Sequence, residues 1–147
     1  MTLYLHVDAV GFSTLVSAAQ TLEIWLSDRP AADDRLVWRG TDLPVYDLPI
    51  LFAFCNGASA DDEGHRIYIA FTDGEAPGAV AVLGFGRLYG MVELDSRDFI
   101  AAPPLSHAFN DLFDAVARRP INRHFALRWR SMPSFDGLLA AAIEEQA

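Results

Sequence analysis

Apolar and polar residues alternate with a period of two through much of the chain. Leu3, Leu5 and Val7 fall on one side of an extended backbone and Tyr4 and His6 on the other; after a turn at Asp8-Ala-Val-Gly11, Phe12–Val16 returns. Successive side chains of a strand point to opposite faces, so this spacing predicts half-buried strands. The pattern recurs at Ile67, Ile69 and Phe71, ahead of the turn Thr72-Asp-Gly-Glu75, and at Phe125, Leu127 and Trp129. Gly78–Leu83 and Tyr89–Leu94 read as two more strands bracketing a glycine-rich bend. RLVWRGTDLPVYDL, at Arg35–Leu48, reads as two strands pinched around Arg39-Gly40, where only glycine takes a positive φ cheaply. Short strands spaced by turn residues predict a mainly β chain folded as an antiparallel barrel or sandwich.

Other segments depart from this rhythm. Ser134 is placed to cap a helix whose apolar stripe is Phe135, Leu138, Leu139, Ala142 and Ile143. Phe109, Leu112, Phe113 and Val116 fit helical spacing, while Phe113–Val116 fits equally the opening of a hairpin closed through Arg119-Pro120. Periodicity leaves both open. Asn56–His65 is a small, acidic loop, and Ala101–Ser106 a second one whose Pro103-Pro104 imposes an extended path.

Composition narrows the setting. A chain of 147 residues, 52% hydrophobic and 21% charged, fits a single domain over 1–147 or two very small subdomains sharing a core. Its net charge of −9 sets it against phosphate backbones and anionic lipid, which argues against nucleic acid and membrane as partners. The basic stretch Arg118–Arg130 alternates with apolar residues and reads as the solvent face of a hairpin. No run approaches the roughly 18 apolar residues of a membrane span, and MTLYLHVDAVG lacks a basic signal-peptide region. The single cysteine, Cys55, has no partner for an internal disulfide and sits among Phe52, Ala53 and Phe54 as a packing residue. These features predict a cytoplasmic protein.

Candidate chemistry is sparse. His6, His65, His107 and His124 are scattered without metal-ligand spacing, and His6 and His124 fall at outward positions where a solvated ring is expected. There is no G-x-S-x-G nucleophile elbow, and Asp33-Asp34 and Asp61-Asp62-Glu63 lie in loop-like sequence without the apolar wall that a catalytic acid needs. Gly84-Phe-Gly86-Arg-Leu-Tyr-Gly90 has the wrong last interval for a dinucleotide fingerprint and lies between strands rather than opening a helix. Such glycines mark a bulge or a barrel corner. The expectation is a non-enzyme with no cofactor and no metal.

Taken in order, the segments resemble the CheW-like adaptor domain of bacterial chemosensory systems. That family opens with strand, turn and strand before a V-x-E-[IV] segment; LYLHV, DAVG and FSTLV here precede Thr21-Leu22-Glu23-Ile24. An RG turn then leads into a [IV]-P-[IV]-x-D-L strand, matched in register by Trp38-Arg39-Gly40 and Leu43-Pro44-Val45-Tyr46-Asp47-Leu48. IYIAFTDGEAPGAVAVLGFGRLYGMVEL follows the rhythm of the family's V-D-x-V-x-G region, and a proline-bearing loop, a closing hairpin and the Ser134–Ile143 stripe complete the likeness. Departures are Gly86 at the usual Asp, Thr21 at the Val, Trp38 at the Asn-like position and Leu48-Pro49 for Leu-Arg.

The resemblance implies two small SH3-like β-barrels sharing a hydrophobic core, with a C-terminal helix. It implies an adaptor that bridges the cytoplasmic signalling tip of chemoreceptors to the regulatory domain of a CheA-type histidine kinase. Glu23, Ile24, Arg39 and Gly40 match positions associated with those contacts or their support. For Arg39, stacking on Trp38 or pairing with Asp47 is the structural alternative. Glu23 reads otherwise as a solvated strand-edge charge and Asp47 as a structural residue. A CheW-like module of another pathway, such as twitching motility, is the alternative within the binding class. A small β-barrel ligand-binding protein or enzyme using Asp47, Arg39 and a histidine is the alternative outside it.

Overall fold

The computed structural model of the chain describes residues 1–9, 12–56, 64–75 and 77–140. The strands are β1 (Thr2–Ala9), β2 (Phe12–Ser17), β3 (Thr21–Ser27), β4 (Arg35–Trp38), β5 (Thr41–Asp47), β6 (Arg66–Phe71), β7 (Ala81–Phe85), β8 (Arg87–Leu94), β9 (Phe99–Ala101), β10 (Phe113–Ala117) and β11 (Leu127–Trp129). Two helices, α1 (Leu48–Asn56) and α2 (His107–Asn110), interrupt them, and residues 136–140 are helical.

The strands form a six-stranded sheet ordered β8-β1-β2-β11-β10-β9 and a five-stranded sheet ordered β3-β6-β7-β5-β4. In each sheet the two outermost strands are consecutive in sequence. β8 reaches β9 through the short 3-10 turn Ser96–Asp98, and β3 reaches β4 through residues 28–34. Edges tied by so short a link force the sheet to curl, which gives two small barrels. The first barrel closes at a capping box, with the Asp95 carboxylate accepting from Arg97 N–H and Asp98 from Asp95 N–H, both at 2.8 Å.

The hydrophobic residues sort into three groups that follow from this geometry. Inside the first barrel lie Tyr4, Leu15 and Phe99 with Ala115, Ala117 and Ala126, small residues that suit a narrow interior. Inside the second lie Leu43, Val45, Tyr68 and Val82, with Trp25 and Trp38 packed on them. Between the barrels a larger cluster draws Leu5, Val7, Val16 and Trp129 from the first, Ile69, Phe71, Leu83 and Phe85 from the second, and Leu48, Phe52, Phe135 and Leu138 from elsewhere. The barrels therefore share a core. β1, β6 and β7 are walls between two apolar interiors, and β6 and β7 are buried along their whole length.

Several expectations are corrected. The ladders are not all antiparallel, because β2 pairs with β11 and β5 with β7 in parallel. Leu48 does not prolong its strand. It begins α1, whose first turn accommodates Pro49 and whose Ile50 N–H donates to the Asp47 carboxylate at 3.4 Å. Of the two readings of residues 109–117, the hairpin is right: α2 is a single turn, and β10 pairs with β9 and β11. The hairpin closes at Asn122-Arg123, both with positive φ, bracketed by the Ile121–His124 bridge. His6 is buried rather than solvated. The Cys55 side chain, most of the Asn56–His65 loop, the tip of the first turn and the end of the C-terminal helix lie outside the described residues.

Candidate docking surface

β3 is an edge strand of the second barrel and pairs only with β6 among the described residues. Its alternation runs opposite to the usual expectation for an amphipathic strand. Trp25 points inward, 5.7 Å from the Tyr68 ring, so Leu22, Ile24 and Leu26 are the outward set, exposed by 41, 40 and 77%. They stand in a row on one face. Leu22 and Ile24 border a groove of about 300 Å³ whose other wall is Leu5 and Met91 of the first barrel. The groove thus runs between the two barrels, and its lining is mainly apolar. An unpaired strand edge bearing exposed leucines and an isoleucine is a feature that natural sheets keep covered.

The opposite side of β3 carries Glu23, which reaches across to the end of the β4–β5 hairpin. Its Oε1 accepts from Arg39 Nη2 at 3.1 Å. This contact joins the two edge strands of the five-stranded sheet and marks the seam of the barrel. Arg39 is held by a second contact, its guanidinium lying 4.5 Å from the Trp38 ring centre. Arg39 and Gly40 form the two-residue turn, with φ of 48° and 80°. A Cβ on Gly40 would meet nothing within 4 Å, so the glycine is there for its backbone and not for lack of space. Both side chains of the Glu23–Arg39 pair are largely in water, so it contributes well under 1 kcal/mol to stability. Its value is in fixing where the charges stand.

Of the four residues singled out in the sequence, Glu23 and Arg39 meet at the seam beside Gly40, and Glu23 and Ile24 both border the groove. Leu22, Leu26 and Met91 were not singled out. Their signal was the alternation in TLEIWLS, which does not say which set faces in.

Arg39 and Asp47 do not meet. Asp47 is bound instead to Arg66, whose Nε donates to both carboxylate oxygens at 3.0 and 3.1 Å, while Arg66 Nη1 donates to the His65 carbonyl at 3.1 Å. Arg66 is only 3% exposed, so this is an internal ion pair at the start of α1. The Asp47–Arg39–histidine site of the enzyme alternative is therefore not assembled. The glycine-rich stretch is likewise structural. A Cβ on Gly84 would come 2.9 Å from the Tyr68 ring, and Gly86 N–H donates to the Asp8 carbonyl at 2.8 Å where the chain passes from one barrel to the other.

The structure is similar to the crystal structure of the scaffolding protein TtCheW from Thermoanaerobacter tengcongensis, with a TM-score of 0.62 over 88% of each chain at 13% sequence identity. The fold is CheW-like. Neither a protein-family model nor a curated protein matches the sequence. In this CheW-like frame the apolar groove lies between the two barrels and the Glu23–Arg39 pair at the seam beside it.

His6, the polar residue misplaced by alternation, lies in the wall of the first barrel. Its ring stacks on Tyr89 at 4.6 Å, its Nε2 is hydrogen-bonded to Ser13 Oγ, and its Nδ1 lies 3.1 Å from Asn122 Nδ2. Burial, reinforced by the nearby His124, lowers its pKa. The unfolded chain then takes up a proton at this site more readily than the folded one, so stability falls as pH drops below about 6.5. Asp8 acts in the opposite sense at lower pH. Its burial outweighs His124, the Tyr89 hydroxyl and Arg87 and raises its pKa, so protonation there favours the folded state. The urea midpoint is expected to decline from about pH 7 to about pH 5.5, with most of the slope removed in His6→Gln. A midpoint in the parent protein that is flat over this interval would contradict the assignment.

Proposed function

We propose that the protein is a non-catalytic adaptor of a bacterial chemosensory system, coupling the cytoplasmic signalling tip of chemoreceptors to the regulatory domain of a CheA-type histidine kinase. The observation that carries this reading is the row of exposed Leu22, Ile24 and Leu26 on an unpaired strand edge, in a CheW-like fold. An interface needs an apolar centre inside a polar rim, and the groove with its Glu23–Arg39 flank supplies both. Arg39, already held against Trp38 and Glu23, would offer a directed cation to a partner carboxylate with little further ordering. No catalytic group is required for such work. No helix among the described residues is long and apolar enough to cross a membrane, which fits a cytoplasmic adaptor.

The test is direct binding of the purified chain to a CheA-type regulatory domain and to a soluble receptor signalling fragment. Ile24→Asp places a charge in the groove and is expected to weaken binding to at least one of them by about a hundredfold. Arg39→Ala should weaken binding by about tenfold while the circular dichroism spectrum is unchanged. A parent chain that binds neither component at high micromolar concentration would sink the proposal.

A further inference from the structure

The chain contains no lysine, and its positive charge is carried by 11 arginines. Five of them are neutralised locally. Arg35, Arg39, Arg66, Arg97 and Arg128 each lie within 3.1 Å of a carboxylate oxygen. Arg118 and Arg119 are adjacent in sequence and, like Arg29, Arg87, Arg123 and Arg130, have no ion pair with a carboxylate among the described residues. In a protein with a net charge of −9, two adjacent arginines left uncompensated are a local reversal of the prevailing field.

Both line a cavity of about 390 Å³ at the corner where the first barrel closes. The cavity is built and not incidental. Arg118 N–H donates to the Asp98 carbonyl at 2.8 Å, pinning the start of the β10–β11 hairpin onto the turn between β8 and β9. Arg97 enters from that turn with its guanidinium anchored to Asp95 at 3.1 Å. Leu94, Pro120 and Ile121 contribute apolar side chains to the same lining. The carboxylate of Asp98 is also on the wall, turned back onto Asp95 N–H.

We infer that this cavity docks an acidic segment of a partner polypeptide, whose carboxylates reach Arg118 and Arg119 while neighbouring apolar side chains lie on Leu94, Pro120 and Ile121. The planar forks of the arginines suit carboxylates, and their freedom from internal ion pairs means that no existing bond must break first. A compact dianion such as phosphate is served less well, because it has no apolar part to set against Leu94, Pro120 and Ile121. The site is separate from the groove at β3. Leu94 faces the interior of the first barrel, whereas Met91, on the same strand, lines the groove.

The experiment is a fluorescence anisotropy titration of the full chain with a labelled peptide that alternates glutamate and leucine. Saturable binding is expected, weakened by about tenfold or more in Arg118→Gln/Arg119→Gln. Arg29→Glu, an exposed arginine far along the chain in the other barrel, makes a comparable charge change away from the cavity and should leave the affinity intact. Ile24→Asp should also leave it intact, which separates this site from the proposed adaptor surface. If the double variant does not fold, Arg119→Gln alone carries the same comparison. Equal affinity for parent and cavity variants would overturn the inference. So would an equal loss in Arg29→Glu, which would show a response to net charge, or displacement of the peptide by an equal concentration of inorganic phosphate, which would show a small-anion site.

Discussion

Asp47→Ala is expected to cost about 3 kcal/mol or more of folding stability, measured as a fall in the urea midpoint at unchanged m-value. The carboxylate accepts both Nε bonds of a guanidinium that is buried at the foot of α1, and it accepts the Ile50 N–H as well. Removing it withdraws the charge that compensates Arg66 in a place water reaches poorly, and it removes a helix cap. Desolvation makes a half-broken pair worse than no pair. Asp47→Asn/Arg66→Met, which keeps a cap and removes both charges, should therefore lie within about 1 kcal/mol of the parent. If Asp47→Ala alone is that mild, the pair is not structural and Arg66 has been satisfied some other way.

The second large effect is expected at Trp129, which comes from the first barrel and touches residues of both. Its ring centre is 4.7 Å from Phe113, 5.9 Å from Phe135 and 6.1 Å from Phe85, and Phe135 stacks in turn on Tyr46 at 4.0 Å. Truncation to alanine opens a cavity in the one cluster that both barrels bury against, at about 4 kcal/mol. That is a large part of the 5–15 kcal/mol typical of a domain, so Trp129→Ala should be partly unfolded at room temperature or melt far below the parent. Trp129→Phe distinguishes packing from polarity. The buried indole N–H has no hydrogen-bond partner among the described residues, so phenylalanine gives up some contact area but also removes an unpartnered donor, for a net change of about 1 kcal/mol or less. A Trp129→Phe variant as damaged as Trp129→Ala would mean that the N–H is bonded after all.

Most strands were legible from alternation because a pleated backbone imposes it, and the Arg39-Gly40 turn was legible because glycine identifies positive φ. What alternation could not reveal was which side of a strand is inside when both sides are. β1 separates the interior of the first barrel, which takes Tyr4, from the shared cluster, which takes Leu5 and Val7. His6 reads as outward only if one face of β1 is assumed to be wet. On β3 the same ambiguity hid Leu22 and Leu26, since Trp25 is as apolar as they are and claims the interior. α1 was missed because LPILFAFCN is apolar on every side and has no helical stripe. A cue was present in Asp47 followed two residues later by Pro49, which is the order of a cap and a first-turn proline. The pairing of β2 with β11 left no local trace, since parallel neighbours far apart in sequence are chosen by tertiary packing. The cluster at Arg118–Arg119 was visible as charge, but the cavity that gives it a use depends on that same long-range arrangement.

The insertion of β11 between β2 and β10 has a consequence for synthesis. Thr14 is paired with Leu127, so the first barrel cannot complete its sheet until β11 has been made, more than a hundred residues after β2. The second barrel uses only residues from β3 to β7 and can assemble earlier. During translation the β1–β2 hairpin must wait, with Tyr4 and Leu15 uncovered, and this long-range closure is the slow, aggregation-exposed step for such a topology.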